Sequence, residues 1–282
     1  MELTLHNDSW PAMVTVDHIN NLTDDDIQAI GRALAEKTVV VIKKQPSLTE
    51  EDQVAFSERF GHVRTYKWPN EKMWKAISPN HPKVANVTGK RNDDNLPGLH
   101  GGHDDLDWHL NSPWDEQRMP IIYLYAVQST KGSRTSYINA VDAYRDLPQE
   151  WKDRIEGYHI RPASTNDNYS IQGKVFGLVA EENKTYQPAM HQTNRSGHDT
   201  LFFPWNQMVG IKEVESDQEY QEIKEFLMAH MLQEKYIYHH DWEDGDIVIA
   251  DQWSGMHKRW AFELMHERLL HRIGFNYDKI EF

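Results

Sequence analysis

Between Thr23 and Glu36 the apolar residues Ile27, Ile30 and Leu34 recur three and four apart, which is one face of a helix. Thr23 suits its N-cap, and Asp24, Asp25 and Asp26 suit its positive end, so the pattern predicts a helix over 23–36. The unbroken run Val39-Val40-Val41-Ile42 reads as a short strand buried on both faces. A second helix is predicted over 50–60, with Thr49 as cap, Phe56 and Phe60 one turn apart and Gly61 as stop. Residues 62–120 lose periodicity and are rich in Asn, Pro, Gly, His and Trp. So long an irregular stretch in a compact domain is usually functional or mobile. Strand-like runs follow at Ile121–Val127, Ser136–Asn139, Leu201–Pro204, Tyr236–His240, Asp246–Ala250 and Arg272–Asn276, with helices near 141–156 and 218–232. The sum is an antiparallel β core with helices packed outside.

Composition narrows the function. Ten Trp, twelve Tyr and nine Phe among 282 residues are enough for a sizeable core, so a disordered chain is excluded. The absence of cysteine removes disulfide scaffolds, thiolate zinc sites and cysteine nucleophiles. Thirty basic against 44 acidic residues give a net charge of −14, which argues against general nucleic-acid binding. A local arginine pair can still hold an anionic small molecule. The N-terminus has no basic stretch followed by an apolar one, and no run approaches the ~18 apolar residues of a membrane span. The expectation is a soluble, cytoplasmic protein without a membrane partner. No repeat or long linker divides the chain, so 1–282 is expected to form one domain, with segments 62–120 and 161–200 covering its site. Phosphate-binding glycine loops, Gly-x-Ser-x-Gly elbows and nucleotide fingerprints are missing.

The chemistry concentrates in Asp107-Trp108-His109-Leu110-Asn111. In a strand, His109 and Asn111 project to one face. Much later His257 stands six residues after Asp251, and Arg268 and Arg272 lie four apart. With sixteen histidines in the chain, His109 alone would read as structural, and Arg268 alone as a surface ion-pair partner. His239-His240 reads as surface or core edge. His62, His100, His191 and His198 cannot be told from ordinary loop histidines.

Taken in order, these segments resemble the taurine dioxygenase (TauD/TfdA-like) family of Fe(II)/2-oxoglutarate-dependent oxygenases. Val39–Gln45 with Leu48–Gly61 is similar to the family's opening strand and helix. Trp108-His109-Leu110-Asn111 stands where the family has Trp-His-x-Asp, and Gly132-Ser133-Arg134-Thr135 where it has Gly-Gly-Asp-Thr. Asp251–His257 resembles the segment of the distal iron histidine, and the step of eleven residues to Arg268 and four more to Arg272 fits the family's spacing.

The resemblance implies a double-stranded β-helix, or jelly-roll barrel, with flanking helices. It implies that His109, His257 and position 111 hold Fe(II), leaving places for 2-oxoglutarate and O2. It assigns Arg268 and Thr135 to the distal carboxylate of 2-oxoglutarate, and Arg272 to an anionic group of the primary substrate. The implied reaction is hydroxylation of an unactivated C–H with release of succinate and CO2. Family members are often dimers or tetramers, although no heptad or apolar surface helix here demonstrates it.

One ligand position departs from the pattern, because residue 111 is Asn. Three readings stay open: a weak neutral ligand in a working oxygenase, a substitution that disables turnover, or a changed or binding-only descendant. Halogenating relatives carry a small residue there, and Asn fills that space, so halogenation ranks low. His103-Asp104-Asp105 offers a runner-up His-x-Asp but lacks the adjacent Trp. A cupin-like isomerase would explain a barrel and a histidine pair, but not the arginine spacing.

Overall fold

The computed structural model describes residues 4–6, 10–66, 77–88, 105–111, 113, 116, 119–128, 130–162, 186–263 and 268–282. The described chain is mainly β. Its strands are β1 (Thr4–His6), β2 (Ala12–Thr15), β3 (Val39–Ile42), β4 (Ala85–Thr88), β5 (Leu106–His109), β6 (Ile121–Gln128), β7 (Arg134–Ile138) and β8 (Ile160–Pro162). They continue with β9 (His191–Thr193), β10 (Asp199–Leu201), β11 (Met208–Ile211), β12 (Ile237–Asp241), β13 (Ile247–Asp251), β14 (His257–Arg259) and β15 (Leu269–Phe275). The α-helices are α1 (Asp24–Lys37), α2 (Glu50–Glu58), α3 (Ala140–Arg145), α4 (Gln149–Ile155) and α5 (Asp217–Met231).

Two sheets carry the architecture. One has seven strands in the order β1-β2-β3-β13-β6-β15-β4, and the other four in the order β12-β7-β14-β5. Their pairs are antiparallel except β2 with β3. The burial pattern follows the pleat. Val40 and Ile42 of β3, with Ile247 and Ile249 of β13, face α1 and α2, where Ile27, Ile30, Leu34, Phe56 and Phe60 meet them. Val39, Val41, Val248 and Ala250 point the other way, against Tyr137 of the smaller sheet and Trp242 just past β12. The two sheets therefore face each other across an apolar layer, with helices α1 and α2 on one outer side. Helices α3 and α5 pack on a further cluster with Trp108, Ile138, Phe202 and Phe203.

The α1 and α2 predictions hold, including both caps. Thr23 and Thr49 accept from the amides of Asp26 and Asp52, whose carboxylates bond back in turn. Other boundaries differ for local reasons. Helix α2 ends at Glu58, and Gly61 serves a different purpose. A Cβ there would lie 2.3 Å from Asn276 Oδ1, so the glycine permits a close chain approach. The single helix predicted over 141–156 is two, because Pro148 cannot continue α3 and instead opens α4. The Asn139 side chain caps α3 by accepting from Val141 and Asp142 amides, so β7 stops at Ile138. The strand expected at Leu201–Pro204 is β10, which ends at Leu201. Within 62–120 the structure contains β4 and β5. Residues 67–76, 89–104 and 163–185 lie outside the described residues, which removes most of the expected cover from view. Among the described residues no helix is long and apolar enough to cross a membrane.

Candidate active site

Pairing of β5 with β14 sets His109 directly opposite His257. Their imidazoles stand 4.1 Å apart, centroid to centroid, with planes at 52°. On the other side of β14, Tyr137 of β7 lies opposite His257 and stacks on it at 6.3 Å. His109 Nδ1 is 2.7 Å from the Asp107 carbonyl, which can only accept. Nδ1 therefore carries the proton, and Nε2 keeps its lone pair. Burial pushes His109 down to about 4, outweighing the opposing carbonyl bond, and Arg259 and Arg272 add to the effect. His257 is driven well below the usual imidazole range by burial, then by His109 and Arg272. Both rings are thus held neutral, the form in which imidazole ligates metals.

The two residues after His109 are gripped by glutamines. Gln207 accepts from the Leu110 amide at 2.6 Å and donates to its carbonyl at 2.8 Å. Gln252 Oε1 accepts from both the Asn111 amide (2.6 Å) and Asn111 Nδ2 (2.7 Å). The remaining atom, Asn111 Oδ1, accepts from Arg272 Nη1 at 3.0 Å. Arg272 also lies 5.5 Å from the centroid of the Tyr66 ring. The described residues contain no group of three or more His, Asp or Glu at metal-holding spacing. The donor set that these residues could offer a metal would comprise two imidazole nitrogens and the Asn111 amide oxygen, which already accepts from Arg272. It fits a divalent ion that favours nitrogen and oxygen, but without the anionic ligand that would hold it tightly.

Arg268, at the foot of β15, is fully buried. Its Nε donates to Ser133 Oγ at 3.1 Å, and its Cζ lies 4.5 Å from the centroid of the Phe262 ring. Nη1 and Nη2 have no hydrogen-bond partner among the described residues. Burial, then the nearby Arg259 cation, pushes Arg268 down to about 9. Two residues from Ser133, Thr135 Oγ1 accepts from Trp242 Nε1 at 2.9 Å. The indole can only donate, so the threonine proton is left for another acceptor.

The sequence named His109, Asn111, His257, Thr135, Arg268 and Arg272; the structure sets His109 opposite His257 and bonds Arg272 to Asn111, while Arg268 bonds Ser133, two residues before Thr135. It missed Ser133, Gln207, Gln252, Trp242 and Phe262. Only Ser133 carried a readable signal, because it belongs to the Gly132-Ser133-Arg134-Thr135 segment, just ahead of β7. Of the runner-up site, His103 and Asp104 lie outside the described residues, and Asp105 is engaged with Lys258 and the Ala261 amide. Three further histidines are engaged elsewhere. His240 bonds Tyr238 at 3.0 Å beside Asp246, His239 bonds Ser136, and His191 bonds Glu156.

Residues 5–273 match the model of the taurine catabolism dioxygenase TauD, TfdA family, and the chain belongs to that family of Fe(II)- and 2-oxoglutarate-dependent dioxygenases. Its curated relatives include pentalenolactone F synthase of Streptomyces avermitilis, 24% identical over 93% of this chain and 89% of that protein. Another is the (S)-phenoxypropionate/alpha-ketoglutarate-dioxygenase of Sphingobium herbicidovorans, 25% identical over 93% and 90%. Among solved structures, a taurine dioxygenase from Burkholderia xenovorans superposes with a TM-score of 0.75 at 19% identity, covering 98% of this chain and 91% of that one. AAD-2, in complex with Mn(II) and N-oxalylglycine, gives 0.74 at 18%, covering 98% and 97%.

Proposed function

We propose that this chain uses Fe(II) and 2-oxoglutarate to hydroxylate an unactivated C–H bond of a small anionic molecule, releasing succinate and CO2. The observation that carries the reading is Arg268, a buried guanidinium with both terminal nitrogens unpartnered among the described residues. An unpaired buried cation is costly, and its planar fork matches a carboxylate. Ser133 orients that fork through Nε, and the Thr135 hydroxyl, two residues on in β7, would add a donor. His109 and His257 would hold the metal through neutral ring nitrogens, with the Asn111 oxygen as a weak third donor. Iron bound there supplies the oxidative decarboxylation of 2-oxoglutarate and the oxidising power for C–H attack. Arg272 would take the anionic group of the substrate, since it stands on β15 beside Asn111.

The jelly-roll reading, one oxygenase domain over 1–282 and covering segments at 62–120 and 161–200 belong to the same proposal. The facing sheets and the structural likeness to family members support its fold part. The test is iron-dependent consumption of 2-oxoglutarate and O2 with release of succinate, followed in the parent chain and in His257→Ala. Turnover in the parent and its loss in the variant are expected. No iron-dependent succinate across a panel of small carboxylates, or unchanged turnover in His257→Ala, would contradict the proposal.

A further inference from the structure

We infer that Gln252 is a positioning residue that makes position 111 an amide site, so that Asn111 and Gln252 form a matched pair. Donors and acceptors decide it. The Asn111 backbone N–H can only donate, so the Gln252 atom 2.6 Å from it must be the oxygen. The other end of the Gln252 amide lies 3.3 Å from the Met119 carbonyl, an acceptor, so that end must be the nitrogen. Gln252 is 2% exposed, and its own backbone amide is held by the Pro120 carbonyl at 2.7 Å, so the group cannot turn over cheaply. The side-chain atom of residue 111 that meets Gln252 Oε1 must then be a donor. Its opposite atom faces Arg272, which has no acceptor, so it must be an oxygen. A side chain of this size with a donor at one end and an acceptor at the other is asparagine. Ionised aspartate would set an anionic oxygen against Gln252 Oε1, two acceptors with no proton between them.

Asparagine is therefore what this fold selects at the position, and not a carboxylate lost from an otherwise intact site. Gln252 holds the amide nitrogen toward itself and leaves the oxygen on the side of Arg272. The pairing rests on hydrogen bonds alone. Only its consequence for a metal depends on the proposed function.

The test is a cycle of Asn111→Asp, Gln252→Ala and the double variant, read by thermal unfolding of the metal-free protein, with Asn111→Ala as a folding control. In the parent background Asn111→Asp should lower Tm more than in the Gln252→Ala background, by on the order of 3–10 °C. Taking the difference removes any ion pair gained with Arg272. Should Asn111→Asp not fold while Asn111→Ala does, that too is the expected clash. Equal Tm changes in both backgrounds would overturn the inference. A Mn(II) titration gives an independent reading. The double variant, its carboxylate free to turn, should bind at least tenfold more tightly than Asn111→Asp alone. Equal affinities would overturn the positioning role.

Discussion

A buried guanidinium fork that, among the described residues, is hydrogen-bonded through Nε alone leaves two strong donors waiting, and at Arg268 this points to an anionic ligand better than any other residue of the site. Replacing Arg268 with Ala should raise the dissociation constant for 2-oxoglutarate about 100-fold or more, since two charge-assisted bonds contribute roughly 3 kcal/mol together. Arg268→Lys should recover only part, because a point charge cannot make the paired contact. Equilibrium binding measured without oxygen checks both. His109, His257 and the two arginines stood out in the sequence through residue type and spacing. Gln252 and Trp242 did not. Their roles depend on which atom faces which, a property of packing, and Gln252 reaches Asn111 across 141 residues of sequence.

At the scale of elements, the turn from β13 to β14 decides where His257 lies. Gly255 passes so close to β7 that a Cβ would stand 2.2 Å from the Ile138 carbonyl oxygen. Gly255→Ala must push β14 away from β7. It should lower Tm by several degrees and weaken metal binding, whereas Gly197→Ala, with open space at its Cβ, should leave metal binding unchanged. Metal titration of the two variants separates the cases. A second element contact is set by pH. His191 of β9 stacks on Tyr144 of α3 at 4.6 Å and lies 2.8 Å from Glu156 and 3.1 Å from Asp199. Burial pulls the imidazole down, but the bonds to Asp199 and Glu156 outweigh it and raise it above its ordinary value. Its contribution to stability is then complete below the unfolded value of about 6.5 and fades as pH rises through the higher folded one. The Tm difference between the parent and His191→Gln should shrink from pH 6 to pH 8. A gap that widens would contradict the assignment. The legible elements were those with a complete local signal, such as β3 with two buried faces or α1 with its capping box. The three- and four-residue strands β4, β5 and β14 are too short to show a period, and partners far along the chain determine them.

On the scale of the whole molecule, the last residues close the helical layer. Tyr277 donates to the Asp251 carboxylate at 3.1 Å, Ile280 packs against Gly31 of α1, and Gln28 bonds the Lys279 and Glu281 backbones at 2.7 and 2.8 Å. Deleting 277–282 should lower Tm by about 10 °C, from the lost burial of Tyr277 and Ile280, and a thermal scan of the truncated chain tests this. A net charge of −14 coexists with a site where Arg272 acts on both histidines and Arg259 on His109, so the sign of the ligand follows the local field and not the total. That division was readable from the sequence as an arginine pair in an acidic chain. The facing of the two sheets was not, since it arises from contacts such as Trp242 with β3 and β13. The central claim is that this cleft binds iron and 2-oxoglutarate together, with Arg268 holding the far carboxylate. Anaerobic titration of Fe(II) and 2-oxoglutarate, followed by the visible charge-transfer band of the chelate, tests it most directly. The parent chain should develop the band, and Arg268→Ala should need about 100-fold more 2-oxoglutarate to reach it. No band in the parent at any concentration, or the same titration curve in both chains, would contradict the account.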